Sequence, residues 1–456
     1  MTNRLFCVLK KPVCWIVFIV ILPAITLQAQ NSSPGKVTQT TLPWCIDYAL
    51  EHQPQLKEVQ LNEDINESNI RIASAGWLPQ VMATANVQHY VQLPVLIFPD
   101  FNNPSGPKRK VTAGVLNSST VQLSATQNLY RTDLMFARRT APDYRMLAAE
   151  DTKKTKIDVI TEVSKGYYDV LLSDQQINVL GEDVQRLEKN TRDAYNLFQN
   201  GIADKTDYQR AVIALNNSRA SWRSAKEAIR VKYAYLKQVM GYPVDSMLTV
   251  SFDSAAVADL VYIDTLQLLD YNNRIEYQTL QTNLRLRHDQ VDYYKWSFLP
   301  SLSAFYTYNI VYQNDLFSDL YNARFPNSIV GLSLSLPIFQ GTSRLQSLNI
   351  ARLQYKQSQY ESDNLKSEIN TEYAQAMAQY KSNLNQLNTD GENVKNAREI
   401  YGIITLQYNH GIKTYLDVIV AETDLRTAEL NYLDTLFQVL SSALDVRKAM
   451  GILSVQ

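Results

Sequence analysis

The side chains that catalysis would need are thinly spread in this chain. Its four histidines, His52, His89, His288 and His410, stand apart, none with a partner at ligand spacing. There is no Gly-x-Ser-x-Gly elbow, Walker loop or glycine-rich dinucleotide turn, and the methionines do not cluster as a soft-metal site would. The pattern therefore predicts no enzyme and no cofactor. The titratable residues that do recur at fixed spacing lie in two related stretches. "FQNGIADKTDYQRA" runs from Phe198 to Ala211 and "YNHGIKTYLDVIVA" from Tyr408 to Ala421, and in each an aspartate (Asp207, Asp417) follows a Gly-Ile pair. A carboxylate placed just after a turn glycine sits early in the next helix, where it favours the helix dipole.

The two stretches belong to a larger repeat. Gly201 and Gly411 are 210 residues apart, and each is followed 40 residues later by a Met-Gly pair, Met240-Gly241 and Met450-Gly451. Leu215 and Leu425, Trp222 and Tyr432, and Lys237 and Arg447 keep the same offset. Conserved spacing together with residue type implies an internal duplication.

Long regular elements must position these residues. Apolar residues recur every three or four positions from about Thr132 to Asn200 and from about Gly341 to His410, as in Leu365, Ile369, Tyr373, Ala376 and Tyr380. Such narrow stripes predict helices of roughly 100 Å that pack as coiled coils. Gly201 and Gly411 then become left-handed C-terminal glycines that turn each long helix into a shorter one running back to the Met-Gly. Upstream, "AGWLPQVMATANVQHY" (Ala75–Tyr90) matches "WSFLPSLSAFYTYNI" (Trp296–Ile310), where Leu-Pro ends a helix and opens a strand. Val81, Ala83, Ala85 and Val87 alternate with Gln80, Thr84, Asn86 and Gln88. A turn-rich gap holding Pro94, Pro99, Pro104 and Pro107 separates this strand from its return at Val121–Thr126. The second half has an equivalent gap (Gln313–Asn327) and a return strand in which Val330, Leu332, Leu334 and Leu336 alternate with Gly331, Ser333 and Ser335. Period-two strands of this kind fit either a membrane strand, apolar to lipid and polar to a wet lumen, or a soluble sheet with one face on a core.

Composition narrows the classes. Lys+Arg 44 against Asp+Glu 45 leaves a net charge of −1, so nothing draws the chain to nucleic acid. Arg4, Lys10 and Lys11 precede the apolar run Val13–Leu27, and Leu27–Ala29 offers a small-residue cut, which reads as an export signal over 1–29. Cys7 and Cys14 would leave with it, so Cys45 would have no partner for an intrachain disulfide. Beyond the leader no apolar run is long enough for a membrane helix; any crossing must use strands closed into a barrel. The organisation expected is a signal (1–29), a first repeat (30–241), a linker with one short strand (242–262), a second repeat (263–451) and a tail (452–456).

The doubled order of helix, strand, loop, strand, long helix, glycine tip, return helix and Met-Gly resembles the TolC family of outer-membrane efflux ducts, from Leu42 to Gly451. "CIDYALEHQPQLK" (Cys45–Lys57) is similar to that family's opening helix. The resemblance implies a mainly α fold with a membrane β-barrel: a homotrimer whose twelve strands close in outer-membrane lipid and whose helices continue through the periplasm as an α-barrel. Elementary physics agrees in part, because four strands per chain leave two open edges that several chains must close. The resemblance also implies that a periplasmic adaptor, serving an inner-membrane pump of RND or ABC type, docks at Gly201-Ile202 and Gly411-Ile412. It implies a closed-state network of Asp207 with Tyr408 and Lys413, and an acidic constriction that includes Asp417; Val420 stands where the best-known member has a second aspartate. The expected function is the exit duct of a tripartite system for small toxic compounds. A type I protein-secretion duct and a secreted coiled-coil scaffold without a pore are the alternatives.

Overall fold

The computed structural model describes residues 39–99, 108–251, 261–264 and 268–453. The expected leader over 1–29 lies outside them. After a two-residue strand β1 (Gln39–Thr40) come the helices α1 (Leu42–His52) and α2 (Pro54–Ser74). Four strands follow: β2 (Gln80–His89), β3 (Val95–Phe98), β4 (Arg109–Thr112) and β5 (Asn117–Tyr130). The long helix α3 (Thr132–Gln199) turns into α4 (Lys205–Met240). A short strand β6 (Thr249–Val250) pairs in parallel with β1. Then come α5 (Ile275–Trp296), β7 (Ser301–Asn314), β8 (Phe325–Ser335), the long helix α6 (Ser343–Asn409) and α7 (Tyr415–Met450). The order of elements in the first half recurs in the second, and the long helices fall within three residues of their expected ends.

The four long strands form one sheet in the order β2-β5-β7-β8, every pair antiparallel. The two halves of the chain thus meet edge to edge at β5 and β7, and β2 and β8 are left as outer edges. Cross-strand partners share a face, so register decides how the sheet is sided. Val81 pairs with Ala125, Ala125 with Tyr306 and Tyr306 with Val330; Leu302 pairs with Leu334. One face is therefore apolar across all four strands. Its β8 residues stand far out, with Val330 at 79 %, Leu332 at 70 % and Leu334 at 67 % exposure, which no water-soluble face would tolerate as a stripe. The opposite face carries Gln122, Ser124, Thr307 and Ser333, and there the Phe305 ring covers Gly331 so closely that a Cβ would lie 2.7 Å from it.

One expectation for this region needs correction. The gap marked by Pro94 and Pro99 is more than a turn-rich loop: β3 and β4 make a separate antiparallel ribbon, Val95 opposite Thr112 and Leu96 opposite Val111. The prolines lie outside its paired residues, so they bound the ribbon without breaking it.

The helices pair as the apolar stripes require, α3 with α4 and α6 with α7, and α3 also packs on α7. Trp222 of α4 lies over Gly181 of α3, and Tyr432 of α7 lies over Gly391 of α6, the same small-against-large fit made twice. The main core gathers at the Met-Gly end, where Cys45, Ala49 and Leu56 meet Val163, Leu171, Leu236, Met240, Leu440 and Met450. The linker is pinned there as well: the Tyr380 hydroxyl donates to Val261 O at 2.8 Å and accepts from Ile263 N at 3.1 Å. Buried Arg274 opens α5 by donating to Glu276, Glu372 and the Ala449 carbonyl, which ties the start of α5 to α6 and to the end of α7.

Gly241 and Gly451 close α4 and α7 in the left-handed conformation, φ 66° and 70°. Each also lies against backbone, so that a Cβ at Gly451 would sit 2.5 Å from Asn273 O and one at Gly241 would sit 2.8 Å from His52 O. Gly411 shares the positive φ but has open space around it. Gly411→Ala should therefore cost only ~1–2 kcal/mol, the strain of an L-residue in that conformation. Gly451→Ala adds a backbone collision and should lower the unfolding midpoint in detergent clearly further; equal shifts would reject the close-approach role.

Candidate functional site

The two hairpin tips are built alike. At the end of α3, Ile202 N donates to Leu197 O and Gly201 N to Phe198 O; at the end of α6, Ile412 N donates to Gln407 O and Gly411 N to Tyr408 O. With φ of 70° at Gly201 and 74° at Gly411, both tips satisfy their last helical carbonyls by the same paired turn. Ile202 and Ile412 point outward, with more than two thirds of each exposed. The return helices start with different caps. Asp204 caps α4 through Thr206 N, whereas Thr414 and Asp417 form a reciprocal box at the start of α7.

This geometry sorts the residues singled out from sequence. Asp417 accepts from the Thr414 amide and hydroxyl, and these bonds hold its carboxyl below the usual carboxylate range. Its early-helix reading thus has a concrete form, the capping box. Lys413, in the tip turn just before the Thr414 cap, lies 3.8 Å from Asp417, so within the chain its ion pair is local. Tyr408 does face the other hairpin: burial first, then the Asp207 and Asp193 carboxylates, push its phenol above the ordinary range.

Two groups of residues escaped the sequence reading. Tyr415 is buried at the tip against Ala194 and Ala211, with its ring 5.7 Å from Tyr408. Farther from the tip, a polar cluster joins α3 to α7. Arg186 Nε lies 3.3 Å from Glu422 Oε1, Asn190 donates to Glu422 Oε2 at 3.2 Å, and Arg426 lies 3.3 Å from Asp183. Ser218 of α4 donates to Asp183 at 2.6 Å. Asp183 is wholly buried and Glu422 almost so. Burial, and then the nearby Asp183 charge, push the Glu422 carboxyl up to about 7 against the pull of Arg186 and Asn190. The signal was present in the chain: Glu422 occupies the apolar seam of Val418, Ala421 and Leu425, and Asp183 that of Leu180, Val184 and Leu187.

His288, Asp289 and Asp292 come close together on α5, a proximity their adjacent positions had not been read to allow. Arg139 lies 2.7 Å from Asp289 and 3.2 Å from Asp292, and Lys295 lies 2.9 Å from Asp292. Cations of the chain itself already neutralise these carboxylates, so the cluster reads as an ion-pair knot between α3 and α5.

Residues 45–242 and 271–452 match the family described as outer membrane efflux protein. The chain belongs to that family. It is 23 % identical over 432 residues to the toluene efflux pump outer membrane protein TtgC of Pseudomonas putida, covering 89 % of this chain and 82 % of that protein. It is 22 % identical over 438 residues to the proteases secretion protein PrtF of Dickeya chrysanthemi, covering 90 % and 88 %. The fold is similar to that of the outer membrane protein VceC of Vibrio cholerae, with a TM-score of 0.69 at 18 % identity over 90 % of this chain and 96 % of that one. The efflux protein is therefore an outer-membrane channel component, and no enzyme.

The capping box allows a local test. Thr414→Ala should cost about 1 kcal/mol at the start of α7. Amide exchange in that first turn should speed up roughly fivefold, with the global unfolding midpoint unmoved. Unchanged exchange would mean that the box does not hold the tip.

Proposed function

We propose that this efflux protein is the exit duct of a tripartite export system. Three chains close their sheets into a twelve-stranded barrel in outer-membrane lipid, and the long helices continue as a hollow α-barrel through the periplasm. The observation that carries this reading is the sheet itself, apolar on one side, polar on the other and unpaired at both outer edges, β2 and β8. Unpaired backbone groups are untenable in lipid, so the edges must meet those of further copies. In this reading 30–241 and 263–451 are two structural repeats joined by 242–262, with 1–29 a leader for export.

The tips then serve two purposes. Gly201-Ile202 and Gly411-Ile412 are where a periplasmic adaptor docks, bringing an inner-membrane pump of RND or ABC type. Asp207, Tyr408, Lys413 and Asp417 form the gate and constriction, with Tyr408 supplying the contact between hairpins and Lys413 and Asp417 stiffening the second tip. Efflux of small toxic compounds is the favoured cargo, supported by the likeness to TtgC. Secretion of a protein is the second reading, supported by the likeness to PrtF.

Two experiments bear on this. Leu334→Arg places a charge on the apolar face and should cost ~2–4 kcal/mol per chain near the bilayer midplane, depleting trimers from outer-membrane extracts. Ser333→Arg, on the polar face, should assemble normally, and equal damage from both would reject the sidedness. For the gate, Tyr408→Phe combined with Asp207→Ala should raise single-channel conductance in planar bilayers at unchanged trimer yield. Conductance that stays at the parental level would remove these residues from the gate.

A further inference from the structure

The α3–α7 joint is the place where one hairpin of the chain rests on the other; partly exposed pairs, Lys165–Asp445 and Lys448–Asp158, bridge it near the Met-Gly end, and toward the tip two carboxylates lie buried at its centre. Glu422 projects from α7 toward α3. The groups facing it come from every neighbouring element: Asp183, Arg186 and Asn190 from α3, Ser218 and Arg210 from α4, Tyr401 from α6, and Tyr415 and Arg426 from its own helix. Two acids face three arginines, Arg186, Arg210 and Arg426, yet the pairing is loose. Arg186 stands 3.3 Å from Glu422 and 3.6 Å from Asp183, and Asp183 Oδ1 and Arg186 Nη2 are both buried without a hydrogen bond. Only the Ser218 bond is short. A buried carboxylate held by long contacts, with a second carboxylate beside it, is costly in its ionised form. It gains from being either protonated in place or hydrated after the helices part.

The second half of the chain builds no equivalent. At the 210-residue offset, Asp183 corresponds to Asn393, Arg186 to Asn396 and Asn190 to Ile400, while Glu422 corresponds to Val212. Packing of a long helix against its neighbour therefore does not require the cluster.

We propose that Glu422, with Asp183 beside it, is a proton-operated clasp between the two helical hairpins: protonation holds α7 against α3, and ionisation loosens them. The clasp rests on the gated-duct reading only for its consequence, since the joint itself lies within one chain. The direction follows from linkage. Burial raises the carboxyl above its hydrated value, so the packed joint binds the proton more tightly than the parted one. The stabilisation is fully present below the carboxyl's hydrated value and is lost as pH rises from there through about 7. A duct built this way is held shut more firmly in an acidified periplasm.

Distances between spin labels test this in the full-length protein. Gln185→Cys on α3 and Thr423→Cys on α7 are exposed label sites, used with the native cysteines replaced by serine and the labelled chain diluted with unlabelled chain. Between pH 5.5 and 8.5 the short-distance population should fall as pH rises, with a half-change near 7. Glu422→Gln, which keeps the shape and cannot ionise, should hold the short distance at every pH. A parental joint that does not respond to pH, or a Glu422→Gln joint that responds as the parent does, overturns the proposal. If Glu422→Gln does not assemble, Asp183→Asn decides, because removing the neighbouring charge should move the half-change to lower pH and an unmoved half-change overturns the clasp. Conductance of the same samples reads the duct separately: distances that respond while conductance does not would uphold the clasp and count against the gate.

Discussion

A helix of nearly seventy residues with a narrow apolar stripe is not stable alone; it must find a partner along its whole length. This requirement organises the molecule. α3 and α6 each fold back on a shorter helix through a left-handed glycine, and the hairpins then lean on one another along α3 and α7. The apolar contact is not even along that length. Near the Met-Gly ends it is a continuous core reinforced by α1, the linker and Arg274. Toward the tips Val184, Leu187 and Leu215 pack within the first hairpin, and the buried apolar cluster that bridges the hairpins is small, Ala194 and Ala211 against Tyr415. Parting the hairpins at the tip exposes little apolar surface, whereas parting them at the other end would expose the main core. Local stability follows such burial, so the tip is the end free to open.

Much of this could be read from the chain because it depends on spacing. Gly201 and Gly411, the two Met-Gly pairs and the Trp222/Tyr432 offset all report turns and packing that occur twice, and the structure places each in matching surroundings. Strand faces were legible too, since period two leaves only one register that brings Val81, Ala125, Tyr306 and Val330 to one side. The β3–β4 ribbon was hidden because prolines at its borders carry the same signal as a loop. Lys413 has a near neighbour that its spacing did not single out, the Asp417 carboxylate on the same side of the tip turn. Glu422 and Asp183 were overlooked for another reason. A charge at a seam position looks like an interruption in the stripe, and only the arrangement of neighbouring helices shows that it is covered.

The duplication explains what is shared between the halves, and its breakdown shows where they differ. The glycine tips and the Gly181–Trp222 and Gly391–Tyr432 contacts are the common scaffold. The buried ionic cluster is not shared. It occupies the joint inside the chain, while the corresponding positions of α6, Asn393 and Asn396, line a groove with Asp424 and Thr427 of α7. In the proposed ring of three chains, hairpins would meet at two kinds of joint, one within a chain and one between chains. The first carries Asp183 and Glu422 held out of water by opposing hairpins, whereas the buried acid of the α6–α7 groove, Asp390, is bonded by Thr435 within its own hairpin. A change in protonation would then act on alternate joints around the ring, loosening three and leaving three as hinges. A ring with all six joints equally labile would lose its register when it opened; alternation lets the tips part while each hairpin keeps one fixed neighbour.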